Sequence, residues 1–140
     1  MIRVSRPLVE WRLLATAVIA LGAAVLLTKA FPYRVWRRRA HATLHTAPPI
    51  QTRATPYEIA RAIDGASRVV LGGANCLARA LAARRLMARH GWPSELVLGV
   101  AKGLDGRLRS HAWLRHDGNT LLGEQGVHGF VPMPDLAGRL

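Results

Sequence analysis

The apolar residues of this chain change their spacing once, and that change restricts the fold more than any other feature. Up to Gly91 they recur at three or four positions. After Trp92-Pro93 the spacing shortens to two, through "ELVLGVAK" (95–102), "RLRSHAWLR" (107–115) and "NTLLGEQ" (119–125). A period near 3.6 marks helices that bury one face, and a period of two marks strands. The strands are joined by turns at "GLDG" and "HDGN", and "HGFVPM" (128–133) gives a weaker fourth. Helices first and an antiparallel β-meander after them is the order of an α+β fold. With 140 residues, half of them apolar, the chain is expected to build one core.

The helical part divides at 41–54, where "HATLHTAPPIQTRA" has paired prolines and no apolar period and is expected to be a linker. Before it, residues 1–40 hold an apolar, arginine-flanked helix. Its uncharged stretch 13–28, "LLATAVIALGAAVLLT", spans about 24 Å as helix, short of the roughly 30 Å of a bilayer interior. Leu14, Val18, Leu21 and Val25 share one face, which suits a helix packed on protein or lying at a membrane surface better than one that crosses. No small-residue cleavage site precedes "FPYRVWRRR", so a signal peptide is not expected. After the linker, Thr55-Pro56-Tyr57-Glu58 is a capping box with proline at the first helical position, starting a helix that runs to about Val70 with Ile59, Ala62, Ile63 and Ala66 inward. Asn75 is the expected N-cap of the next, which ends at His90-Gly91 with Arg79, Arg84, Arg85 and Arg89 on its wet side.

The net charge of +12 is uneven: residues 1–55 carry nine Lys/Arg against Glu10 alone, and residues 56–140 eleven against seven. Such a field favours acidic partners. Nucleic acid is not expected among them, because aromatics are few and no nucleic-acid motif accompanies the arginines. The single cysteine excludes a disulfide framework and a cysteine-based zinc site, and points to a reducing, cytoplasmic setting. His41 and His45, four apart in the proline-rich stretch, lack a third ligand, and no metal or organic cofactor is expected. His116 and His128 are expected at the surface.

The lone thiol, Cys76, falls in the first turn of a helix after "LGGA". There the unpaired amides and the positive end of the helix dipole favour thiolate. By itself a single cysteine is more often a small buried apolar side chain. A base changes that reading. His111 lies in "SHAWLR" on the middle strand, and Trp113 shares its face by alternation. If Asp117-Gly118 is a two-residue type I′ loop, 116 faces 119, 115 faces 120, and His111 faces Glu124. Cys76, His111 and Glu124 would then form nucleophile, base and orienting acid. A loop moved by one residue puts Gln125 or Gly126 opposite instead. Asp117, the competing acid, is explained by turn chemistry.

"NCLARALAARRLMARHGWPSELVLGVAKGLDGRLRSHAWLRHDGNTLLGE" resembles the core of the transglutaminase-like cysteine proteases of lasso-peptide biosynthesis, the B-proteins. Their motifs run Cys-Leu-x-Arg-Ala at a helix start, Gly-Val with a basic residue on a strand, and His-Ala-Trp before a short Asp-Gly hairpin. The likeness covers about residues 57–132, and the preceding apolar stretch is similar to the N-terminal helix those proteins carry. It implies a transglutaminase/papain-like cysteine protease fold with its catalytic core in 55–140. It implies proteolytic removal of the leader from a ribosomally made precursor peptide, before an asparagine-synthetase-like lasso cyclase closes the macrolactam. Cys76 would be nucleophile, His111 general base and then acid, and Glu124 the acid on the strand after the hairpin. No winged-helix-like leader-recognition domain is expected, and the resemblance then implies a separate recognition protein. Two other functions fit the same residues: transglutaminase-like acyl or amide transfer, and a non-catalytic basic adaptor at a membrane.

Overall fold

The computed structural model describes residues 6–30, 54–70, 75–124 and 129–132. Three helices, α1 (Arg6–Ala30), α2 (Pro56–Ser67) and α3 (Cys76–Arg89), are followed by strands β1 (Glu95–Lys102), β2 (Leu108–His116), β3 (Asn119–Leu122) and β4 (Val131–Pro132). The expected α+β arrangement is the observed one.

Local chemistry explains most element ends. At α2 the Thr55 hydroxyl accepts from the Glu58 amide at 3.2 Å, and the Glu58 carboxylate accepts from the Thr55 amide at 2.8 Å, so the box is closed in both directions. At α3 the Asn75 side chain accepts from the Ala78 amide at 2.8 Å. The other end of α3 is a Schellman motif: Gly91 takes a φ of 76°, its amide donates to Ala88 O, and the Trp92 amide donates to Met87 O.

The core lies between the helices and one face of the sheet. From α1 come Leu13, Ala17, Leu21, Ala24 and Val25, from α2 Ile59, Ile63 and Ala66, from α3 Ala78, Ala82, Ala83, Leu86 and Met87, and from the sheet Leu96, Ala112, Leu114 and Leu122. Alanine dominates the α3 contribution, which lets this helix approach α1, α2, β1 and β2 closely. Thus α1 contributes to the same core as the 55–140 segment. The linker's last residue, Ala54, is buried, and the rest of 41–54 lies outside the described residues. His90 Nδ1 accepts from the Ala54 amide at 3.1 Å, and Trp92 Nε1 donates to the Ala54 carbonyl at 2.7 Å.

Three expectations need correction. Arg84 is not on a wet face: α3 has neighbours on most sides, so this side chain is drawn in, its Nε has no partner, and burial lowers its pKa. Arg79 is likewise half-buried. His116 stands at the end of β2 but is half-buried: it donates from Nδ1 to the Pro93 carbonyl at 2.6 Å and stands edge-on to Trp92. The fourth strand does not extend the meander. It pairs with β1 at the far edge, Gly99 with Pro132 and Val100 with Val131, so the order is β3-β2-β1-β4, a small Greek key. His41, His45, His128 and the triple arginine 37–39 lie outside the described residues.

Candidate active site

The hairpin that carries the site begins as the sequence suggests and then departs from it. Asp117 and Gly118 take φ values of 48° and 78°, the two positive angles of a type I′ turn, and His116 pairs with Asn119 and Arg115 with Thr120. The next pair is Leu114 with Leu122, so Leu121 is an extra residue, a β-bulge. The bulge moves the count by one, and the ladder stops at Leu122. The expected pairing of His111 with Glu124 is therefore not formed. His111 instead lies where β2 has lost its neighbour on the β3 side.

That open edge is closed by Gly123. Its φ is 89°, and a Cβ there would lie 3.0 Å from Trp113 Cβ and 3.1 Å from the Ala112 carbonyl oxygen, so only glycine comes this close to β2. The approach brings the Gly123 carbonyl to 2.9 Å from His111 Nε2. A carbonyl only accepts, so Nε2 carries the proton in the neutral ring and Nδ1 presents the lone pair. On its other sides the imidazole stacks on Trp113, with ring centroids 6.0 Å apart, and meets Phe130 at 5.4 Å. Trp113 in turn lies across Gly99, where a Cβ would fall 2.7 Å from the indole ring. Gly99, Gly123 and Phe130 were not singled out in the sequence. The signal for Gly123 was its position at the end of an alternating run, where an isolated glycine marks a bulge or a close backbone approach.

His111 and Glu124 line one depression of about 670 Å3, together with Asp64, Ser67 and Arg68 at the end of α2, Arg79 of α3, and Leu121 to Gly123. Arg79 and Asp64, both on this lining, form an ion pair that ties α3 to α2. Glu124 is exposed at the rim. Cys76 is a free thiol, half-buried against the core at the first turn of α3 and one turn before Arg79. It is not among the residues lining the depression, and no hydrogen bond joins its sulfur to His111 among the described residues. The structure thus brings His111 and Glu124 to one cavity and leaves Cys76 out of its lining, one helical turn before Arg79. Asp117 sits in the turn, 3.3 Å from His116 rather than beside His111.

The amides of Cys76 and Leu77 precede the first intrahelical bond of α3, which runs from Arg79 N to Asn75 O. No group of three metal-ligating side chains is present among the described residues.

Among curated proteins and solved structures none matches the chain. The profile of the transglutaminase-like superfamily does match, from residue 17 in the second turn of the α1 core stripe to residue 135 just past β4, and so takes in Cys76, His111 and Glu124 alike. With most of its length covered and the helices-then-sheet order in place, this chain belongs to the transglutaminase-like superfamily, which includes cysteine proteases and transferases.

Proposed function

We propose that the protein is a cysteine peptidase that removes the leader from a ribosomally synthesised lasso precursor peptide before macrolactam cyclisation. The observation that supports this reading is the state of His111: the Gly123 carbonyl fixes the proton on Nε2, leaving Nδ1 as a base, in a chain of a superfamily that includes cysteine proteases. In this reading Nδ1 takes the Cys76 proton, the sulfur attacks the carbonyl of the last leader residue, and the first-turn amides of α3 hold the oxyanion. The imidazolium then protonates the departing core amine, and water releases the leader from the thioester. Glu124, a carboxylate on the same depression, favours the imidazolium while it exists. Catalysis requires thiol and imidazole to come within hydrogen-bond reach once peptide fills the depression, a tightening common on going from free to bound enzymes.

The partners in this scheme are the precursor, a separate leader-recognition protein and an asparagine-synthetase-like cyclase, in the cytoplasm, with no cofactor for the cleavage itself. Incubating precursor with this protein and the recognition protein, and following the products by mass spectrometry, tests it. Cys76→Ala and His111→Ala are each expected to abolish cleavage; release of leader by Cys76→Ala sinks the proposal. A product joined to an added amine, in place of hydrolysed peptide, assigns acyl transfer to the same residues.

A further inference from the structure

α1 is apolar on two sides, and among the described residues one of them is packed against the core. Leu13, Ala17, Leu21, Ala24 and Val25 are buried against α2 and α3. Opposite them Trp11, Ala15, Ile19 and Leu26 follow one another at helical spacing and face solvent; Trp11 and Ile19 are 72% exposed and Leu26 69%. Gly22 falls on the same line and has open space where a Cβ would stand. The stripe runs from Trp11 to Leu26, about 22 Å along the axis. Exposed Arg12 and Lys29 stand near its two ends. No acidic residue occurs between Glu10 and Glu58, an interval that holds seven Lys/Arg: Arg12, Lys29, Arg34, Arg37 to Arg39 and Arg53.

We propose that this outer face of α1 docks the protein flat on an anionic lipid surface. A helix with an apolar stripe, a tryptophan at one end and cations at both ends has the chemistry of the headgroup boundary, where apolar side chains sink a few ångströms and basic groups meet lipid phosphates. By length and apolarity α1 would also pass for a membrane span. Spanning, however, would pull its buried stripe out of the core it shares with α2 and α3. A second copy of the chain is the wrong occupant on charge, because pairing two such faces would bring together two segments that each carry a large positive excess. The inference does not depend on the peptidase reading, since cleavage of a precursor can be measured without lipid.

The test is sedimentation of the full-length protein with vesicles of 3:1 phosphatidylcholine and phosphatidylglycerol, compared with phosphatidylcholine alone. Binding to the anionic vesicles is expected to be stronger by about tenfold or more. Ile19→Glu with Leu26→Glu is expected to lower it about tenfold or more at unchanged Tm, and Arg12→Gln with Lys29→Gln to reduce the preference for anionic lipid. Equal binding of the Glu variant and the parent overturns the proposal, as does absence of binding. So does a dimer in lipid-free buffer that the Glu variant dissolves, which assigns the face to a second copy. A fall in Tm of the Glu variant shows the face to be covered by the chain itself, and resistance of the bound protein to alkaline extraction shows a span; either result also overturns it.

Discussion

At the scale of single residues, the orientation of His111 rests on a glycine carbonyl more than on a carboxylate. Gly123→Ala forces a side chain into a backbone conformation with φ of 89° and against Trp113, so the strand end must move and its carbonyl with it. A stability loss of about 1–3 kcal/mol is expected, together with a fall in kcat/KM out of proportion to it. Glu124→Gln, at an exposed carboxylate, is expected to lower kcat/KM by about three- to tenfold. Steady-state kinetics on the two variants decide the matter, and a loss of a thousandfold or more in Glu124→Gln with little effect of Gly123→Ala reverses the assignment. Arg84 is a residue-scale cost. Burial without a partner at Nε disfavours its charged form, so its pKa is lowered on folding. A base with a lowered folded-state pKa detracts from stability while both states are protonated, and the penalty is relieved as pH rises through the folded value. Arg84→Met keeps the stem and removes the charge, so Tm is expected to rise by about 2–4 °C at neutral pH. An unchanged or lower Tm by calorimetry contradicts this account.

At the scale of elements, the caps and the turn were legible because each is a local contest among a few neighbouring residues. Thr55 with Glu58, Asn75, Gly91 and Asp117-Gly118 all behave as their sequence contexts require. The register past Arg115 was not legible. The bulge at Leu121 is decided by what the strand must reach, Gly123 against Trp113, and that pairing joins residues ten apart on different strands. For the same reason alternation placed Trp113 beside His111, while nothing in the local sequence announced Phe130 from the far side of the sheet. The wet side assigned to α3 failed at Arg84 because helical period alone does not reveal how many neighbours a helix has. Gly65 shows an element still open to improvement. It sits in the last turn of α2, and a Cβ there would meet only Leu14 Cδ1 at 3.4 Å, an ordinary contact. Gly65→Ala is therefore expected to stabilise the protein by about 0.5–1 kcal/mol through lost freedom of the unfolded chain. A denaturant midpoint that falls instead shows that α1 cannot give way.

At the scale of the whole molecule, α1 belongs to the core that α2, α3 and the sheet share. Both backbone groups of Ala54 are held there by side chains from the end of α3, His90 taking the amide hydrogen and Trp92 giving one to the carbonyl. The entrance to α2 is thus tied to the end of α3, and α1 is held to α2 and α3 by side-chain burial. A covalent connection between two parts that share a core raises their effective concentration. Cutting the chain between residues 40 and 41 should consequently leave two pieces that find one another. Mixed at about 100 μM, they are expected to co-elute one to one with a Tm that rises with concentration, as mass action requires. Pieces that stay apart at that concentration show that the connection does more than tether. If they do associate, the Ala54 clamp has made the fold a complex of two parts that happen to share a chain.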